Sequence, residues 1–280
     1  KLTTIPFRNG FNIAPYEIDP IGIVTFTDGI TSNITPNQLQ CEAYGYTFDR
    51  AEGVCRAQSF TVGIDRSNVN NTAKGNGNTF ELGTDNSTVI GENNTIRGLS
   101  RNNIIVGNQN EIDNSVNNAF VYGTSGEATA DNSIVLGGNA PTDNLGERQS
   151  IHLMFGLQTT QGVVKSSYLN NTTDSYFTIP ENTVMYFHAN IIAVRVGGTG
   201  TGSAGDFASW VERGVVINKS GTVSITRERD AIKSSGTVTG WAPTVSLTTG
   251  GQLKVNVKGA TDVTIEWASN ITFTQIKTGV

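Results

Sequence analysis

Charge is scarce in this sequence. Lys and Arg number 19 and Asp and Glu 24, together 15% of the 280 residues, and no segment gathers the basic ones into a stripe. A net charge of -5 and a pI near 5.1 argue against a nucleic-acid partner or an anionic membrane. Histidine occurs only as His152 and His188, too few for a zinc site within one chain. No run of 18 apolar residues is present, so no membrane insertion is expected. No segment has a convincing helical period. The chain opens on Lys1-Leu-Thr-Thr, without a starting Met or a secretory apolar core, as a mature or trimmed product would.

What is abundant is glycine, at 32 residues, together with Asn, Thr, Ser and Val. This is the composition of short strands and many turns, and it predicts an all-β chain. Four of the seven prolines, Pro6, Pro15, Pro20 and Pro36, fall in the first forty positions. Residues 1–69 are therefore expected to form an extended, irregular attachment arm. Cys41 and Cys55 frame a compact loop there. A disulfide would stabilise it by roughly 3 kcal/mol in the chain-entropy model, and a reduced core pair is the equal alternative.

From Asn70 the chain repeats. The blocks 70–85, 86–101, 102–117 and 118–131, and a fifth from Asn132, each open on Asn and place a glycine five positions later, at Gly75, Gly91, Gly107, Gly123 and Gly137. Three blocks hold a second Asn, at Asn78, Asn94 and Asn110. A short strand, a glycine at positive φ, a shorter strand and a turn make one coil of a parallel β-roll or solenoid over 70–147. The first strands, Ile104-Ile-Val106, Phe120-Val-Tyr122 and Ile134-Val-Leu136, are apolar at consecutive positions, so both faces should be buried. A thin roll has one interior. Ile104, Val106, Phe120, Tyr122, Ile134 and Leu136 are accordingly expected to bury against other copies in a homotrimer, with a monomeric solenoid covered by its flanking domains as the alternative.

Over 150–280 the pattern changes to long alternating strands separated by Gly, Asn, Ser and Pro, which predicts an antiparallel β-sandwich. Trp210, Trp241 and Trp267 lie within these strands and read as core. Gly200-Thr-Gly-Ser-Ala-Gly205 spells a dinucleotide-type glycine motif, but a strand and not a helix follows it, so a flexible hairpin loop is expected and no cofactor. Arg227-Glu-Arg-Asp230 reads as a solvated charged turn. Glu81, Glu92, Glu111, Asp113 and Asp131 recur at no one block position and read as a solvated rim, although paired carboxylates are what a glycoside-cleaving site needs.

The Asn-x-x-x-x-Gly blocks resemble the β-roll heads of trimeric autotransporter adhesins and related repeats in phage fibres. Ala208-Ser-Trp-Val-Glu-Arg-Gly-Val-Val-Ile, Trp241-Ala-Pro-Thr-Val-Ser-Leu, Leu253-Lys-Val-Asn-Val-Lys-Gly and Ile265-Glu-Trp-Ala resemble the sandwich domain that ends phage tail-fibre and virion structural proteins. The resemblance implies a non-enzymatic fibre of a tailed-bacteriophage particle, located on the virion. Its N-terminal region would join another virion protein, and its outer surface would contact a host cell-surface glycan or protein. A bacterial trimeric surface adhesin and a polysaccharide-depolymerising tailspike are the alternatives.

Overall fold

A computed structural model describes residues 6–19, 22–49, 53–57, 70–138 and 144–278. The chain divides into two compact units, Lys1–Arg66 and Ser67–Val280.

In the first unit, β1 (Ala14–Ile18) and β2 (Val24–Thr27) pair antiparallel. Helix α1 (Gln38–Ala43) follows, then a hairpin of β3 (Thr47–Asp49) and β4 (Val54–Arg56). This segment was expected to be an extended arm without helix, and both expectations are corrected. The helix is too short to display a period. Its signature is the capping box after Pro36: Asn37 Oδ1 accepts from the Gln40 amide at 2.9 Å, and Gln40 Oε1 accepts from the Asn37 amide at 2.9 Å. Ile13, Val24 and Phe26 are buried with Cys41 and Cys55, and Tyr44 and Tyr46 pack edge-on against Phe26. Of the two readings of the cysteine pair, the structure carries the disulfide. So small a core needs such a staple.

The second unit opens with the roll. Its coils are β5 (Thr72–Lys74) with β6 (Thr79–Phe80), β7 (Thr88–Glu92) with β8 (Thr95–Ile96), β9 (Ile104–Asn108) with β10 (Glu111–Ile112), and β11 (Phe120–Thr124) with β12 (Glu127–Ala128), closed by β13 (Ile134–Gly138). The long strands stack in parallel with the repeat in register, Thr88 on Ile104, Phe120 and Ile134. The short strands stack likewise, Phe80 on Ile96, Ile112 and Ala128. The shorter fourth block loses its two residues in the turn after β12. Glu111 and Glu127 are still sixteen apart in register, whereas Phe120 and Ile134 are fourteen apart.

The block signature has two physical causes. Asn70, Asn86, Asn102, Asn118 and Asn132 all take positive φ, between 48° and 58°, a region Asn tolerates better than other side-chain-bearing residues. Gly91 and Gly107 also have positive φ, and a Cβ on either would sit 1.8 Å from the carbonyl oxygen of the glycine one coil on. Gly137 departs from the others: its φ is not positive, and it pairs antiparallel with Gln149.

Val89, Ile105, Val121 and Val135 point inward and meet Ile96, Ile112 and Ala128, all wholly buried. Between them runs a ladder of buried amides. Asn94 Nδ2 donates to Asn78 Oδ1 at 3.0 Å and to Gly107 O at 2.7 Å, and Asn110 repeats both bonds one coil on. Each Oδ1 also accepts the backbone amide of the next coil. A fully satisfied network of this kind costs little and fixes the register.

Beyond the roll lie β14 (Arg148–Thr159), β15 (Val164–Leu169), β16 (Thr183–Gly197), β17 (Phe207–Lys219), β18 (Thr222–Ser235), β19 (Ala242–Leu247), β20 (Leu253–Lys258) and β21 (Thr264–Lys277). The antiparallel order β18-β17-β16-β21-β14 continues directly into the roll, because β14 pairs with β13 (His152 opposite Ile134). One sheet therefore runs through the whole unit. A smaller antiparallel set, β15-β20-β19, branches from β14. Buried between them are Phe155, Phe177, Phe187, Phe273 and the three tryptophans, with Trp210 stacked on Trp267 at 5.8 Å and Trp267 Nε1 donating to Thr159 Oγ1 at 2.9 Å.

The residues Arg227 to Asp230 lie inside edge strand β18 and form no turn. Alternation sends Arg227 and Arg229 to the inner side. Arg227 bonds the wholly buried Glu212 at 3.1 Å, and Arg229 bonds Pro243 O. Glu228 and Asp230 face the other way, onto Arg213 at 2.6 and 3.4 Å. Charge on both sides of an unpaired edge discourages further strand addition.

Candidate functional surface

Because strands alternate, every inward residue of the continuous sheet has outward neighbours. In the roll these are the six residues singled out from sequence. Ile104, Tyr122, Ile134 and Leu136 are exposed, while Val106 and Phe120 are half-buried. The β13–β14 pairing carries this face into the C-terminal strands, where Met154, Val184, Tyr186, Ile192, Ile217 and Ile276 are exposed on it. Register places Ile276, Val184 and Ile217 side by side.

A cavity of about 390 Å³ opens on the same face, with Met154, Ile192, Val211 and Ile232 as apolar walls and Asn190, Asn270 and Ser209 as its polar lining. Ile232 reaches it through a bulge. Ser209 pairs with Lys233 and Trp210 with Ala231, which leaves Ile232 as the extra residue, turned outward on the edge strand.

The two histidines stand in one row of this face. His152 and His188 both pair with Thr272, and His188 pairs with Arg213 beyond. His152 Nδ1 lies 3.2 Å from Thr272 Oγ1. Among the described residues no three His, Cys, Asp or Glu side chains gather as metal ligands. No described helix is long and apolar enough to cross a membrane.

The acidic residues of the roll are ordered beyond expectation. Arg97 holds Glu81 at 2.7 Å and Glu111 at 2.9 Å, and Lys277 holds Glu127 at 3.1 Å. Of the five acids read as sharing no block position, Glu81 and Asp113 follow Phe80 and Ile112 in register, and Glu111 shares its position with Glu127, which corrects that reading. The hydrogen bond from Arg97 holds the Glu81 carboxyl below its ordinary range. Glu212 differs. Burial pushes its carboxyl up, against the opposing bond from the Val245 amide at 3.0 Å and the charge of Arg227.

The glycine motif is a loop between β16 and β17, as expected, but a pinned one. The buried Arg195 guanidinium donates to the carbonyls of Gly197, Gly198, Gly200 and Thr201 at 2.7–3.1 Å. Asp206 Oδ2 accepts the amides of Ser203 and Thr237, and these bonds hold its carboxyl below the ordinary range. The missing sequence signal was Arg195 itself, a charged residue on the inward parity of an apolar strand.

No family model and no curated protein matches the chain. Solved structures similar to it include three phage tailspike proteins. The Acinetobacter baumannii phage AM24 tailspike protein has 8% identity and a TM-score of 0.30 over 75% of this chain and 50% of its own. The tailspike protein gp49 of Acinetobacter baumannii bacteriophage Fri1, a capsular polysaccharide depolymerase, has 7% identity and a TM-score of 0.25 over 66% and 39%. The Acinetobacter phage vB_ApiP_P1 tailspike protein has 11% identity and a TM-score of 0.22 over 70% and 48%. The chain thus spans half or less of each neighbour, and likeness at these scores carries no argument about activity. One expectation is nevertheless corrected. With a polysaccharide depolymerase among its neighbours, the chain is not classed as non-enzymatic.

Proposed function

We propose that the chain is a homotrimeric fibre or tailspike component of a tailed-bacteriophage particle that attaches the virion to the host cell surface. The observation that carries this is the single sheet joining a stiff parallel roll to a C-terminal domain, apolar on its outward face as well as in its core. A roll with two apolar faces is complete when copies of the chain cover the second. In this reading the disulfide-stapled first unit joins another virion protein, and the second unit meets a surface glycan. Three copies would bind by avidity, with no single deep pocket required. The phage neighbours agree with the proposal by description only. Attachment is compatible with cleavage of the bound polysaccharide.

The test is adsorption of the fluorescently labelled full chain to encapsulated bacteria and to matched strains lacking capsule. Saturable binding that disappears with the capsule is the expected result. Absence of saturable binding to any strain of a broad panel would remove the host-contact half of the proposal.

A further inference from the structure

The apolar cavity around Ile232 has no role in the core beneath it. Met154, Ile192, Val211 and Ile232 wall it from four strands of the large sheet, and no charged side chain lines it. Sugars are commonly held by aromatic faces and hydrogen-bond pairs, but here the one aromatic wall, Trp210, is almost wholly buried against Trp267. An aliphatic hollow of this size fits an aliphatic or aromatic side chain. The bulge is the second observation. An edge strand keeping regular pairing would have no extra residue here, whereas this one holds Ile232 out on the open face at 61% exposure. Bulges re-aim side chains in this way next to functional sites.

The third observation is continuity. The cavity lies on the same face of the same sheet as Ile104, Tyr122 and Ile134, connected to them by the register of β13 on β14 and β14 on β21. The row between cavity and base is electrically closed, since Arg213 is already paired with Glu228 and Asp230 within the chain. An apolar face crossed by the single row of His152, Thr272, His188 and an internally paired Arg213 suits a like surface better than a charged partner.

We infer that this cavity is a socket for an apolar side chain from a second copy of the chain, so that the C-terminal sheet, and not the roll alone, locks the assembly. The inference rests on the homotrimer proposed above and adds where its strongest contact lies. Buried central pockets filled by large apolar anchors dominate interface energies, while flatter apolar rows exclude water around them.

The experiment is sedimentation equilibrium of the full chain, with Ile192→Glu altering the socket and Ile134→Glu altering the roll face. Both side chains are exposed, so folding should be retained, and circular dichroism checks that. Ile192→Glu is expected to raise the dissociation constant at least 100-fold and Ile134→Glu by less, with Ile192→Leu restoring assembly. If the wild type assembles and Ile192→Glu leaves its dissociation constant unchanged while Ile134→Glu disrupts it, the socket is overturned and the roll trimer stands. A wild type that stays monomeric at tens of micromolar overturns both. Flotation of the monomeric chain with neutral phosphatidylcholine vesicles, lost in Ile192→Glu, would assign the socket to a lipid surface and also overturn the inference.

Discussion

The roll and the C-terminal sheets solve one problem in two ways. Both bury an inner apolar layer beneath a sheet they share, yet the roll buries a column of Val and Ile laced with hydrogen-bonded asparagines, while the C-terminal strands bury Phe and Trp beside the paired carboxylate of Glu212. In the roll the buried asparagine amides are partnered by their own copies one coil away, whereas the buried Ser125 and Ser133 hydroxyls, which lie outside that ladder, have no hydrogen-bond partner. In the C-terminal strands the partner is a different residue far off in sequence, as Glu212 depends on Arg227 and on the amide of Val245. Repetition thus makes the burial of these amides safe, because one satisfied geometry is reused along the ladder.

The largest effect that would break this comparison is at the roll glycines. Gly107→Ala places a Cβ 1.8 Å from Gly123 O at a φ of +135°, so both strain and clash oppose it. A loss of about 4 kcal/mol or more is expected, read as a collapse of the thermal midpoint. A variant melting within a few degrees of wild type would show that the coil spacing adjusts freely.

This sensitivity is also why the roll was legible in the sequence. A left-handed turn and a close backbone approach each admit few residues, so Asn86, Asn102 and Gly107 announce themselves at fixed spacing. Nothing comparable marks the C-terminal pairings. Alternation over 150–280 gave long strands, but that β16 also pairs with β21, as Asn190 does with Asn270, depends on contacts some eighty residues apart. The socket was invisible for the same reason, since a bulge at Ile232 exists only relative to Ser209 and Trp210 on the partner strand. The helix at 38–43 was missed for its shortness, and Arg227 to Asp230 for taking charge as a sign of a turn.

Next in size is the amide ladder. Asn94→Ala leaves Gly107 O and the Asn110 amide without their partners inside the core, and about 3 kcal/mol of destabilisation is expected from chemical denaturation. The matching test in the other region is Ser269→Ala. Its buried Oγ has no hydrogen-bond partner, so removal should change stability by less than about 0.5 kcal/mol. Equal losses at the two sites would dissolve the contrast between them.

The smallest effect sharpens the comparison through pH. Burial raises the Glu212 carboxyl above its unfolded value. Such a group contributes stability that is fully present below the unfolded value and fades as pH rises through the folded one. The melting temperature of wild type relative to Glu212→Gln is therefore expected to fall as pH is raised from about 4 toward 7. A gap that widens in the opposite sense would mean that pairing with Arg227 outweighs burial.

The most direct test of the central claim is the solution mass of the purified chain by multi-angle light scattering. A value near three times 29.8 kDa is the result expected if other copies cover the outward face of the sheet. A single species at 29.8 kDa across the accessible concentration range would contradict it.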